Sequence, residues 1–171
     1  MEQRRALEGL DVEYVFMDTG AEHPETYKFV RNIVKHWGIN LTCLRAVVHP
    51  KRGVGITYKR VSIDDLCADL QPWWDVLAKY GTPYNPGGAF CTRAMKLDPF
   101  YKYCDESFGK GNYTTWLGIR CDEPKRLTPK QGVEYLATIS DFDKQDVLEW
   151  WSGQDFDLQI PEWLGNCVFV S

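Results

Sequence analysis

The 171-residue sequence is short of several things, and each shortage removes a class of protein. Its six cysteines, at 43, 67, 91, 104, 121 and 167, include no C-x-x-C pair, so spacing alone supports neither a zinc knuckle nor a dithiol redox motif. No secretory signal opens the chain, which argues against a disulfide framework. No apolar run approaches the ~18 residues of a membrane span. His23, His36 and His49 share no ligand spacing, so no zinc site is read from them. Repeats and low-complexity segments are missing too. The expectation is a cytoplasmic protein of one domain, 1–171, without membrane contact or metal. With a net charge of −4, direct binding to nucleic acid is not expected of the chain as a whole.

The charge that is present is unevenly placed. Residues 45–60 carry Arg45, Lys51, Arg52, Lys59 and Arg60 and no acid, whereas residues 134–162 carry eight acids against Lys144 alone. Two solvated faces explain this most simply; a basic rim for a phosphate or acidic partner, and an acidic face for a basic one, is the sharper alternative. Cys43 and Cys67 sit in apolar stretches and read as core thiols.

The chain opens like a helix tail, "EQRRALEGL", stopped by Gly9. "VEYVFMD" reads as a strand buried on both faces. "HPETYKFVRNIVKHWG" reads as a helix with Pro24 and Glu25 in its first turn, Gly38 at its end, and an apolar stripe of Tyr27, Val30, Ile33, Val34 and Trp37. "LTCLRAVV" is a second strand. Strand, helix and strand make a βαβ unit, from which a parallel sheet follows. "IDDLCADLQPWWDVLAKYG" reads as a helix interrupted by Pro72, and "TPYNPGG" as loop. "CTRAMKLDPFYKYCDES" reads as a short helix, a break at Pro99, and a further turn or helix. "YTTWLGIR" is a third strand and "DEPKRLTPK" a loop. "ATISDFDKQDVLEWWSGQ" holds a helix capped by Ser140, Asp141 or Asp143. The tail "IPEWLGNCVFVS" is mostly irregular.

The junction "DTGAEHPET" at 18–26 is the part that looks like chemistry. Ligands of open α/β sheets sit where a strand ends and a helix begins. Asp18 can accept from a ribose hydroxyl or an exocyclic amine, Gly20 admits close approach to the backbone, and amides at a helix start attract an anion. The plainer alternative is a strand end whose Asp18 and Thr19 serve the backbone.

Four patterns in order, "DTGAEHPET", "CTRAMKLDPF" at 91–100, "GIRCDEPKR" at 118–126 and "GNCVF" at 165–169, resemble the phosphoadenosine-phosphosulfate reductase family, in particular its shorter phage versions. The resemblance spans roughly residues 12–169. It implies an open, mostly parallel α/β sheet flanked by helices, of the adenine nucleotide alpha-hydrolase-like kind. It further implies that Asp18, Thr19 and Gly20 lie beside a nucleotide, and that Arg93, Lys96, Arg120 and Arg126 approach its phosphate or sulfate. Arginine suits such oxyanions because its fork binds two oxygens at once. Salt bridges to Asp122 or Glu123 are the alternative for Arg120 and Arg126.

The sequence also departs from that family. The phosphate loop S-G-G-K-D-S occurs nowhere in residues 1–171, so the first strand, that loop and most of the first helix are expected to be absent: a domain truncated at its N-terminus. Cys91 and Cys167 fall at family cysteine positions, but the terminal C-x-x-C is replaced by Cys167-Val168-Phe169-Val170. An iron–sulfur cluster, which takes four thiolates, is therefore not expected; Cys91 and Cys167 are its candidate ligands, and nothing in the spacing of Cys104 and Cys121 argues for them as substitutes. Cys167 is also the only candidate nucleophile, and "LGNCVFVS" offers no positive charge to lower its pKa.

Without its first strand the sheet should leave "VEYVFMD" and "YTTWLGIR" with bare edges, to be closed by joining each other, by dimerisation or by a partner. These departures favour a catalytically degenerate protein acting by binding a protein partner, in the phage setting an inhibitor of a host defence complex. Trp73, Trp74, Trp150, Trp151 and Trp163 are contact anchors where exposed, although core packing is the simpler role for most. The alternatives are a working sulfonucleotide reductase or related adenine-nucleotide enzyme, or a sensor that binds nucleotide without turnover.

Overall fold

The structure is a computed structural model that describes residues 9–82, 84–85 and 88–161, with side chains described outside 83–90. The expected helix tail at 1–8, Trp163 and Cys167 lie outside the described residues. The chain divides into two compact units, Glu13–Ser107 with Leu158–Ser171, and Met1–Val12 with Phe108–Asp157.

The first unit is built on a three-stranded sheet in the order β1 (Tyr14–Asp18), β2 (Leu41–Val48), β3 (Ile56–Val61). β1 and β2 are parallel and joined through α1 (Pro24–Trp37), the expected βαβ unit. β2 and β3 form an antiparallel hairpin, hidden at the sequence level because positive charge masks the alternation of "ITYKRV". β1 is less buried than expected. Tyr14 is exposed and only Asp18 is fully enclosed, because β1 ends its sheet among the described residues.

Side-chain parity on β2 splits the core in two. Cys43 and Leu41 face Tyr27 and Val30 of α1, with Leu66 closing the cluster. Ala46 and Val48 face the opposite way, toward Trp73 and Val76 of α2 (Gln71–Tyr80) and toward Ala94 and Met95. The sheet therefore lies between helices, as the α/β reading requires. α1 forms as its signals direct. His23 accepts the Glu25 N–H through Nδ1, and Gly38, with φ of 61°, returns its own N–H to the Val34 carbonyl. Its stripe is buried at Tyr27 and Val30 but surfaces at Trp37.

Two prolines act differently from expectation. Pro72 does not interrupt α2 but sits in its first turn, where no donor is needed; a single 3-10 turn, Ile63–Asp65, replaces the earlier half of the expected helix. Pro99 does not break the later helix. Phe90–Thr92 leads into a wide π turn, Arg93–Leu97, and then into α3 (Asp98–Phe108). The Asp98 N–H reaches back five residues to the Arg93 carbonyl. A proline ring in a regular α-helix clashes with the carbonyl four residues earlier and lacks a donor for it; the wide turn accommodates both faults. Between α2 and this run, Tyr84–Asn85 (β4) and Gly88–Ala89 (β5) pair antiparallel where loop was expected.

In the second unit, β6 (Thr115–Leu117) pairs in parallel with β7 (Val133–Tyr135), a strand not foreseen. Of the two strands expected to have bare edges, β1 pairs with β2 and β6 with β7 among the described residues. α4 (Lys144–Ser152) starts on Asp143 with a reciprocal capping box to Asp146. Among the described residues no helix is long and apolar enough to cross a membrane.

Candidate functional site

The Asp-Thr-Gly junction is a closed network. Asp18 has no exposed surface. Its Oδ1 accepts from the Gly20 N–H at 2.9 Å and the Tyr27 hydroxyl at 3.0 Å, and its Oδ2 accepts from Arg45 Nε at 2.8 Å and Nη2 at 2.5 Å. Arg45 Nη1 donates to Asp69 Oδ2 at 2.5 Å, and Asp69 Oδ1 accepts the Gln71 N–H at 3.0 Å. Burial works against the Arg45 charge, but the hydrogen bonds it donates to Asp69 and Asp18 outweigh it and raise the guanidinium further. Burial likewise opposes ionised Asp69, yet the Gln71 N–H and Arg45 hold it below the usual carboxylate range. Tyr27 is pushed well above its ordinary value, first by burial and then by the Asp18 charge.

Gly20 is required where it stands. Its φ is 67°, its carbonyl accepts the Leu70 N–H at 2.8 Å, and a Cβ there would meet Asp69 Oδ1 at 2.7 Å. Leu70 is itself left-handed, at φ 59°. The loop before α2 is thus pressed onto the junction. Thr19 Oγ1 accepts the Ala21 N–H at 3.1 Å and donates to Glu22 at 3.1 Å. The start of α1 is also served from within: the Glu25 N–H by His23 Nδ1 and the Thr26 N–H by the His23 carbonyl. The amides read as an anion site from the sequence are already bonded, and Asp18 and Thr19 serve the backbone.

Lys96 reaches this loop. Its Nζ lies 3.0 Å from Oε1 of Glu22, a carboxylate 4% exposed, while Lys96 itself is 43% exposed. The π turn thereby brings one candidate cation beside Asp18, Thr19 and Gly20 across about 70 residues of sequence. Arg93, in the same turn, points its Nε to Asp98 at 3.4 Å and borders a surface groove of about 520 Å³ with Gly55, Tyr101 and Lys102. In the other unit, Arg120 pairs with Asp122 at 2.8 Å and Arg126 with Glu123 at 2.5 Å. The salt-bridge alternative is the arrangement seen. Hydrogen bonds from these arginines hold both carboxylates below their ordinary values.

Arg45, Asp69, Tyr27 and Glu22 were missed. Arg45 was read as part of a solvated basic face, yet its residue is 8% exposed. The pairing follows from the register of β1 on β2, Tyr14 opposite Leu41, which places Asp18 opposite Arg45 and which the two segments alone do not fix. Of the thiols, Cys43 is buried as expected, and burial, then the Asp18 charge, raises it to about 11. Cys67 is exposed, not core, because the apolar segment around it is a 3-10 turn and loop rather than a packed helix. Cys91 packs beside the Trp73–Val76 cluster. Among the described residues no three His, Cys, Asp or Glu side chains group as metal ligands. Of the tryptophans, Trp73 is core, whereas Trp74 and Trp150 are 56% and 40% exposed.

The sequence comparisons agree with this architecture. The phosphoadenosine phosphosulfate reductase domain matches residues 4–155. The chain belongs to that family. It is 59% identical over 172 residues to a nin region protein, ORF290, of Escherichia phage lambda, a match covering 99% of this chain and 59% of the phage protein. A Methanocaldococcus jannaschii protein is 27% identical over 124 residues, covering 72% of this chain and 20% of its own length. The chain thus spans about three-fifths of the length of its phage relative. In this reductase-domain chain the Asp-Thr-Gly loop is closed by its own hydrogen bonds, and Lys96 reaches it through Glu22.

Proposed function

We propose that this chain carries one wall of an adenine-nucleotide site in a sulfonucleotide-handling enzyme of the reductase-domain family. The Asp18–Gly20 loop serves as the floor and Lys96 as the anion-facing cation. The observation that supports this is the meeting of Lys96 with the loop through Glu22. Two motifs far apart in sequence converge at the carboxyl ends of parallel strands, where ligands of such sheets bind. Asp18 acts from beneath, by fixing the loop rather than by touching ligand, since both its oxygens are engaged. Lys96 keeps donors beyond the one given to Glu22 and has solvent access for them.

Isothermal calorimetry with adenosine 3′,5′-bisphosphate tests the reading. Micromolar binding that weakens at least tenfold in Lys96→Ala is expected. No heat from the wild-type chain would overturn it.

A second reading has its own support. Arg93, Arg120 and Arg126 all face carboxylates of their own chain, and β1 ends its sheet among the described residues. Both features suit a protein that has left catalysis and binds a protein partner, in a phage setting an inhibitor of a host complex. A pull-down from host lysate yielding one stoichiometric partner, together with silent calorimetry, would favour it.

A further inference from the structure

The β2–β3 hairpin resolves the basic segment 45–60 into cations that are spent and cations that are not. Arg45 turns inward to Asp18 and Asp69. Arg60 bonds the Tyr103 hydroxyl at 3.1 Å, with its guanidinium 5.0 Å from the centre of that ring. Lys51, Arg52 and Lys59 remain, all exposed, and no carboxylate lies within ion-pair distance of them among the described residues. The cations near the Asp-Thr-Gly loop contrast with these: Lys96 is paired with Glu22 and Arg93 with Asp98.

The hairpin tip is also held firmly. Lys79 of α2, 3% exposed, donates to the Val54 carbonyl at 2.5 Å. A buried ammonium thus anchors the tip from below and adds its own field. We propose that this tip, with Lys51, Arg52 and Lys59, is a contact surface for the phosphate backbone of a nucleic acid. Lys51 and Arg52 lie in the connection between the strands and Lys59 on β3 opposite Arg45, three residues or about 10 Å along the strand from Ile56, so the cations are spread along the hairpin rather than gathered in a pocket. A polyanion with one charge per about 3.4 Å of each strand matches such a line.

An acidic protein fits less well. Protein interfaces are depleted in lysine and rely on aromatic anchors. Here the exposed apolar residues are Val47 and Val54, and Tyr58 is engaged with Glu106 at 2.8 Å. The net charge of −4 does not oppose the proposal, because contact is local and screened beyond about 10 Å at 0.1 M salt; the nearby carboxylates Asp98, Asp105 and Glu106 border the groove beside Gly55 and Ile56, which Lys51, Arg52 and Lys59 do not line.

Fluorescence polarisation on the full chain tests it, with a 20-base-pair duplex, a 20-nucleotide single strand and a polyglutamate peptide as separate probes. Three phosphate contacts predict an affinity for the duplex that falls about 40-fold between 50 and 200 mM salt. K51E/R52E/K59E should abolish binding with unchanged circular dichroism and melting, since all three side chains are exposed. Lys35→Glu, a charge change at the exposed end of α1, should leave binding intact. Absence of binding to either nucleic acid at 50 mM salt, binding indifferent to the triple substitution, or equal affinity for polyglutamate would each overturn the proposal.

Discussion

Asp18 is an acidic side chain with no exposed surface, tolerable only because four donors converge on it. Removing one side of a buried pair leaves a charge without compensation, at a cost of about 3–5 kcal/mol. Arg45→Ala should therefore lower unfolding free energy by that amount in urea titrations, and Arg45→Lys should restore little of it, since an ammonium cannot reach Asp18 and Asp69 as a fork does. Thiol chemistry should sort the cysteines in the same way. Cys67 and Cys121 are exposed and should react with an aromatic disulfide in the native state. Cys43 and Cys104, both buried and both raised to about 11, should react only on unfolding. A raised folded value means that the contribution of these thiols is fully present below their ordinary range of about 8.5. It is lost as pH climbs through about 11. Urea midpoints measured at pH 7, 9 and 10.5 should show this decline.

Among the elements, the π turn is the one whose shape decides the site. Pro99 forbids a regular helix over residues 95–99, and the wide turn that results sets the direction of Lys96. Pro99→Ala should let the segment tighten to an α-helix, shifting each preceding side chain round the axis by about 100°, the angle of one residue. The pairing of Lys96 with Glu22 should be lost, visible as a vanished coupling energy between Glu22→Ala and Lys96→Ala in a double-mutant cycle. α1 depends on a milder device. His23→Ala should cost about 0.5–2 kcal/mol through the lost cap, and His23→Asp should recover it.

For the whole molecule, stability should be asymmetric in acid. Asp69 and Glu123 are held below their ordinary values, so the stability they contribute is present above about pH 4. It is lost as pH falls through their folded values. Thermal melting at pH 3 should lie well below that at pH 6, and Asp69→Asn should reduce the difference. The core is the other determinant at this scale. Leu44 is fully buried on β2, and Leu44→Ala should cost about 2–5 kcal/mol in urea unfolding.

The sequence by itself determined β1, α1 and β2 and narrowed the cap of α4 to three residues, because each is written in short-range signals of period, caps and turn residues, and four motifs in order carried the family. It could not determine which of two roles a proline takes, since Pro72 and Pro99 differ only in where a helix starts around them. Nor could it tell a spent charge from a free one. Arg45, Lys51 and Lys96 are alike as letters, and only the tertiary structure decided that Asp18 claims the first, that Glu22 claims the third, and that no carboxylate comes near the second among the described residues. Electrostatic pairing is a matter of distance through space, and the folded chain brings together residues that the sequence separates by dozens of positions.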